Sequence, residues 1–424
     1  MKILYISYFY PPLGGPASLR NLKSVKYLTE CGAKITLLTV GQIQYSYEDE
    51  SLVQSSLAER IIRVPSWDPM SLLRRFSKGD GSSSEAIYKK SPERLKLFVR
   101  RLFLIDDKEL WLPNLFAKAY RELKSEDYDM IYVSCGPFSS ALAGWILGRK
   151  FGKKLVIDYR DYWTLLSDYD LMGSALKRKL NRFLERKILR SASYVVSATE
   201  GILDELKSEF DPDLASRSYV LYNGHDEEDY CGLPSASPDE DYFTLSYFGA
   251  LYARRSLKSL YQAIAKLDEE NVSKKPIRIR LYGSYNLEAM REIEESRIVD
   301  KIEIIPPKSH AEALFEMQKS DALILIINSS SPKGTLTSKV FEYLRLGMPI
   351  LALVPKNNEA AKLLEECGAK YIAAMESARS IEGILRVMLK DNPRRQKHSL
   401  HLVKYERRRQ VGELYERLRE LISL

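Results

Sequence analysis

Short apolar runs recur along the first half of the chain with polar, helix-compatible stretches between them: Ile3 to Ile6, Ile35 to Val40, Met130 to Val133, Leu155 to Ile157, Tyr194 to Val196 and Tyr219 to Tyr222. Strands that are apolar at every position, rather than at every second one, belong to parallel sheets covered by helices on both faces. The pattern therefore predicts a doubly wound α/β unit. A second series follows, at Thr244 to Phe248, Ile277 to Tyr282, Ile302 to Ile305, Ala322 to Ile327 and Pro349 to Val354, again separated by helical patterns such as Ser256 to Asp268.

Between the two series lies CGLPSASPDEDY, residues 231–242, rich in Ser, Pro and acid and unable to continue a helix or a central strand. The expected organisation is a first Rossmann-like domain over 1–230, a linker over 231–242, a second Rossmann-like domain over 243–392, and a basic helical segment over 393–424 that packs back toward the first domain. Residues 77–92, SKGDGSSSEAIYKKSP, read as a loop-like insertion. Open parallel sheets bind ligands beyond the carboxyl ends of their strands, so functional residues are expected just after strands, on the two sides of a cleft between facing domains.

Composition narrows the class. The chain has 424 residues, 45% hydrophobic and 29% charged, with 65 Lys and Arg against 57 Asp and Glu. That balance excludes disordered and collagen-like chains, and no apolar run approaches the roughly 20 residues of a membrane span. The four Cys, at 31, 135, 231 and 367, form no CxxC pair, and the four His include no HExxH. Neither a disulfide framework nor a metal centre is expected, and a reducing compartment fits best. MKILYISYFYPP reads as a first buried strand rather than a signal peptide, which predicts a cytoplasmic protein.

Candidate chemistry sits after the strands. Gly14 and Gly15 follow the first strand and precede a helix beginning near Ser18, where backbone N–H groups and the helix start suit a phosphate as well as a plain turn. Asp158, Arg160 and Asp161 lie within DYRDYW at the end of another buried strand. Such charges are costly to desolvate unless they pair internally or meet a ligand. Asn223-Gly224 suits a left-handed hinge turn. Arg254 and Arg255 occupy a strand-to-helix loop where guanidinium groups would fork onto a diphosphate. In the segment from Ser329 to Ile350, small and hydroxylated residues lead into a helix near Ser338, and Glu342 offers a carboxylate one turn further on that suits the two hydroxyls of a ribose. Phosphate at the helix start and ribose one turn on describe a nucleotide.

PPLGG, DYRDYW, YNGHDEEDY, YFGALYARR and SKVFEYLRLGMPIL, in this order and at strand ends, resemble the retaining family 4 glycosyltransferases of bacterial glycan assembly, which have the GT-B fold. The resemblance implies an acceptor-binding first domain, a second domain that binds a nucleoside-diphosphate sugar, and no obligatory metal or other cofactor. It places Gly14, Gly15, Asn223, Gly249, Arg254, Arg255, Gly283, Thr337, Ser338, Lys339 and Glu342 on the donor, with Glu342 on the ribose and Arg255, or Arg254, on the phosphates. Asp158, Arg160 and Asp161 fall on the acceptor side, and Asp161 and Arg255 are the catalytic candidates. The chain departs from the family at Gly334, where a second Glu often stands eight residues before the ribose Glu, and at Ala141, where relatives often carry His.

The implied chemistry is electrostatic: positive charge develops on the anomeric carbon while cations stabilise the departing diphosphate. The acceptor proton goes either to the diphosphate oxygen on the same face, giving retention, or to Asp161. The resemblance points to an acceptor that is a glycan or a lipid-linked sugar, in O-antigen, capsule or exopolysaccharide synthesis. Two readings stay open beside transfer: a nucleotide-sugar epimerase of the same fold, and a non-catalytic sugar-nucleotide binding partner.

Charge is unevenly placed. Residues 393–424 carry nine Lys or Arg against four Glu, and the helix-like stretch Leu176 to Arg190 carries seven against Glu185 alone. In that stretch Leu176, Leu180, Phe183, Leu184 and Ile188 form an apolar stripe at helical spacing, expected to pack in the core. The basic faces predict peripheral contact with anionic lipid at the inner face of the plasma membrane. Nucleic acid is not expected, because no aromatic platform interleaves with the charge.

Overall fold

The computed structural model describes residues 1–41, 43, 48–67, 102–166, 174–251, 255–396 and 400–423. The insertion read at 77–92 and Arg254 lie outside the described residues. The chain forms two compact units, Met1–Tyr222 with Arg407–Leu424, and Asn223–Glu406.

The first unit is built on a seven-stranded sheet: β1 (Lys2–Ser7), β2 (Lys34–Val40), β3 (Arg60–Val64), β4 (Met130–Ser134), β5 (Lys154–Tyr159), β6 (Tyr194–Ser197) and β7 (Ser218–Val220). Its order is β3-β2-β1-β4-β5-β6-β7 and every pair is parallel. Strand order reverses at β1/β4, where a doubly wound sheet opens a crevice at its carboxyl edge. β1, β4 and β5 are buried at nearly every position because helices cover both faces: α1 (Pro16–Glu30), α2 (Leu112–Ser125), α3 (Ser139–Phe151), α4 (Ala175–Ser191) and α5 (Glu200–Glu209). α1 starts at Pro16, a residue whose missing N–H costs nothing in the first turn, after Gly15 at φ 93°.

The second unit holds β8 (Phe243–Phe248), β9 (Ile277–Tyr282), β10 (Ile302–Ile305), β11 (Ala322–Ile326), β12 (Ile350–Leu353) and β13 (Ile372–Ala373), in the parallel order β10-β9-β8-β11-β12-β13. Around it run α6 (Lys258–Glu269), α7 (Leu287–Glu294), α8 (His310–Met317), α9 (Lys339–Arg345), α10 (Glu359–Glu366) and α11 (Ala378–Asp391).

The units divide at Tyr222/Asn223 rather than at 230, and the tail changes unit at Glu406/Arg407 rather than at 393. Hydrogen bonds account for both shifts. Glu227 takes both Arg345 Nε, at 2.7 Å, and Arg345 Nη2, at 2.5 Å, which ties residues 223–230 to α9. Arg395 donates to the Leu346 carbonyl at 2.6 Å and to Gln318 Oε1 at 2.8 Å, so the start of the basic tail is part of the second unit. The last helix, α12 (Arg407–Ser423), lies on α1 in the first unit, with Val411, Leu414 and Leu418 buried beside Leu22 and Val25. Each such side chain contributes about 1.5–3 kcal/mol by leaving water.

Periodicity misplaced one helix face. In α4 Ile188 is buried and Leu184 packs against the core, but Leu176, Leu180 and Phe183 face solvent. The inward side is instead lined by Asn181, Glu185, Ile188 and Leu189. Two polar residues can stand there because Asn181 donates to the Leu104 carbonyl at 2.8 Å, and Glu185 accepts from the Thr164 N–H at 3.3 Å and from its hydroxyl.

Candidate functional site

In the second unit, Gly249, Gly283 and Lys339, all singled out from the sequence, meet just beyond the carboxyl ends of β8 and β9. β8 ends at Gly249, whose φ of 140° disfavours any side chain, and a Cβ there would lie 2.1 Å from Lys339 Nζ. β9 ends at Gly283, at φ 154°, where a Cβ would lie 2.2 Å from the Gly249 carbonyl oxygen. The two glycines let the backbones and the lysine share one small space. The Lys339 ammonium sits over the Tyr247 ring, 4.7 Å from its centroid.

The loop from β11 to α9 is fixed by its neighbours. Asn358 donates to the Lys333 carbonyl at 3.1 Å, and the Glu359 N–H donates to the same carbonyl at 2.9 Å. Glu376 accepts from the Ser329 N–H at 3.2 Å and from its hydroxyl at 2.5 Å. Beyond it, Thr337 is half-buried, Ser338 is buried, and Lys339 opens the short α9. Glu342, in the first turn, is buried, and its Oε1 is 3.0 Å from His310 Nε2.

His310, which no sequence motif marked, joins this cluster through Glu342. It occupies the first position of α8, where Ser309 and Glu312 form a reciprocal capping box. Its other ring nitrogen, Nδ1, lies 4.0 Å from Asp229 Oδ2, so the imidazole stands between two carboxylates. The Ser309-x-x-Glu312 pattern is a local signal for a helix start at His310, but nothing local points the imidazole at Glu342. Arg255 is half-buried before α6, and Asn223 is half-buried at the start of the unit.

A pocket of about 420 Å3 in the same unit is lined by Asp239, Arg280, Tyr282, Glu303, Glu316 and Lys319 among others. Four of its charges pair within the lining, Arg280 with Glu303 at 2.9 Å and Lys319 with Glu316 at 2.6 Å. None of the donor-side residues lines it.

The first unit arranges its candidates differently. Gly14 is buried and Gly15 faces open space. Asp158 is fully buried, and Arg20 of α1 grips it with Nε at 3.1 Å and Nη2 at 2.7 Å while donating from Nη1 to the Leu221 carbonyl at 2.7 Å. Burial works against the Arg20 charge, but Asp158 outweighs it and raises the guanidinium pKa. Asp158 thus knits α1, β5 and the segment after β7 together. Arg160 and Asp161 point elsewhere: Arg160 Nε bonds Asp161 at 3.1 Å, its guanidinium stands over the Phe9 ring at 5.5 Å, and its buried Nη1 has no hydrogen-bond partner among the described residues. Asp161 is the exposed member, at 70%.

Ala141 lies buried in α3, on the loop side of β4 where Gly136 leaves room for Arg160: a Cβ there would meet Nη2 at 2.7 Å. Near the same loop, Asp106 accepts from the Ser139 N–H at 2.8 Å, and burial pushes its carboxyl up to about 6 against those bonds. Among the described residues no group of three or more His, Cys, Asp and Glu is placed to hold a metal ion, and no helix is long and apolar enough to cross a membrane.

Known proteins resemble this arrangement. The family model described as Glycosyltransferase Family 4 matches residues 76–229. Among solved structures, Anabaena Alr3699/HepE in complex with UDP-glucose is similar with a TM-score of 0.62 and 15% identity, covering 100% of both chains. Sucrose-phosphate synthase from Thermosynechococcus elongatus has a TM-score of 0.59 and 15% identity over 99% of this chain and 94% of its own. UDP-N-acetylglucosamine 2-epimerase from Rickettsia bellii has a TM-score of 0.54 and 13% identity over 100% and 97%. No curated protein matches the chain significantly. The two parallel doubly wound sheets and these neighbours show a two-domain Rossmann-like fold of the GT-B type, and over residues 76–229 the chain is similar to glycosyltransferase family 4.

Proposed function

We propose that the protein transfers a sugar, with retention, from a nucleoside-diphosphate sugar to a glycan or lipid-linked acceptor in cell-surface polysaccharide synthesis, on the cytoplasmic side of the membrane. The observation that carries the donor half is the cluster in the second unit: a buried Glu342 held by His310, one turn beyond Lys339, with Gly249 and Gly283 clearing the backbone beside the lysine. A carboxylate whose orientation is set by an imidazole suits the paired hydroxyls of a ribose. Lys339 suits the diphosphate as a compact charge on a flexible stem, and Arg255 adds a guanidinium for the leaving group. These cations, rather than a divalent metal, are assigned to the developing charge, so turnover is expected to survive EDTA. Similar folds that hold UDP and UDP-glucose in HepE support the donor class.

The acceptor side is assigned to the first unit, with Asp161 as its accessible carboxylate and Arg160 beside it. Asp158 serves there as a buried anchor. Retention rests on the family likeness. Incubation with a panel of nucleoside-diphosphate sugars, with and without a membrane lipid extract, tests the reading: glycosylated lipid or glycan supports it. Epimerised nucleotide sugar without any glycosylated product favours the epimerase fold-mate instead, and no turnover of any donor overturns both.

A further inference from the structure

We propose that α4 is a docking surface for an anionic lipid bilayer. Three large apolar side chains on its outward side are exposed, Leu176 at 77%, Leu180 at 40% and Phe183 at 55%. Their spacing of four and three residues puts them in one line along the helix. The opposite side is the anchored one, with Asn181, Glu185, Ile188 and Leu189 buried. Among the described residues of its own unit, nothing covers this outward apolar line.

Charge identifies the occupant. Lys179, Arg186, Lys187 and Arg190 are exposed beside the line, and the helix carries one acid, Glu185, which is wholly buried. The Lys187 ammonium lies 5.7 Å from the Phe183 ring, so a basic head and an apolar body share one edge. Arg182 is drawn aside to Glu209, at 2.7 Å, and stands over Phe210. Leucines and a phenylalanine flanked by Lys and Arg, whose stems can reach outward while the rings and methyls enter the acyl boundary, match a bilayer interface with negative headgroups. An acidic protein would use the charges but leave the apolar line in water. A second copy of the chain would bring like charge against like.

The docking surface and the donor site have separate readouts, vesicle partition for one and nucleotide binding for the other. The experiment is co-sedimentation of the full chain with vesicles of phosphatidylcholine containing phosphatidylglycerol, against pure phosphatidylcholine. Wild type is expected on the anionic vesicles at low salt and off them at high salt. The variant K179Q/R186Q/K187Q is expected to lose about fivefold in partition per charge, on the order of a hundredfold together. The variant L176S/L180S/F183S is expected to lose at least about tenfold even at low salt. Both keep the wild-type melting temperature and the wild-type stabilisation by UDP. Indifference of wild type to anionic vesicles overturns the proposal, as does equal partition of both variants, or self-association abolished by the apolar variant in the absence of any vesicle binding.

Discussion

His310 Nε2 lies 3.0 Å from Glu342 Oε1, although the two residues belong to different helices of the second unit and stand 32 positions apart in the chain. The capping box at Ser309 fixes where α8 begins, the helix start fixes His310, and the imidazole in turn orients the carboxylate. If Glu342 receives a ribose diol, His310 acts on the nucleotide through it as a positioning residue. His310→Ala is expected to weaken nucleoside diphosphate binding about tenfold, the worth of one hydrogen bond to a charged group. His310→Gln, which keeps a donor, is expected to recover part of that loss. Calorimetric titration of each variant checks this, and unchanged affinity in His310→Ala would break the link.

Gly249 and Gly283 separate two kinds of crowding. At Gly283 an added methyl meets the Gly249 backbone, which cannot swing away, so Gly283→Ala is expected to cost about 1–3 kcal/mol of stability. At Gly249 the methyl meets the end of the Lys339 side chain, which can move. Gly249→Ala is therefore expected to displace the lysine and lower nucleotide affinity on top of the stability cost of its positive φ, whereas Gly283→Ala acts mainly on stability. Paired melting and titration data on the two variants distinguish the cases, and equal effects on both quantities would contradict the assignment.

Asp158 and Arg20 form a pair with almost no solvent contact. Removing one partner leaves the other charge buried alone, which typically costs about 3–5 kcal/mol. Asp158→Ala is expected to destabilise the protein by that order in urea unfolding, while acceptor affinity at low temperature is unchanged. Weaker acceptor binding at full stability would return Asp158 to the acceptor site.

Reading these relationships from the sequence alone succeeds where the signal is local. Strands such as Ile35 to Val40 announced themselves because a parallel strand buried on both faces is apolar throughout. β3, with Arg60 and Arg63, did not, because a strand at the sheet edge keeps charged residues in the open. Lys339 and Glu342 were legible through their spacing within one helix. His310 and Arg20 were not, since each contact joins segments far apart in the chain. In α4 the periodicity marked an apolar stripe expected in the core, but only Leu184 and Ile188 of it pack inward, because the buried face turns toward Asn181 and Glu185, which find partners elsewhere in the unit.

Glu185 predicts a pH effect on stability. Burial raises its carboxyl to about 7, against bonds from Thr164, whereas an exposed Glu titrates near 4.5. The folded state holds this proton more tightly than the unfolded chain does. The stabilising contribution is thus complete below about pH 4.5 and lost as pH rises through about 7. A shift of this size amounts to about 3 kcal/mol. Glu185→Gln, which stays neutral, is expected to gain on wild type in urea unfolding as pH rises from 5 to 8 by about that order. Parallel stability curves for the two proteins would show that Glu185 is not the group responsible.

The second unit is assigned a nucleoside diphosphate held through Glu342, and titration of UDP, GDP and ADP into wild type and Glu342→Ala tests this most directly. Wild type is expected to bind at least one of the three, and Glu342→Ala to bind the same nucleotide at least about tenfold more weakly with its melting temperature preserved. Equal binding by the two proteins, or no binding of any nucleotide by wild type, would contradict the account.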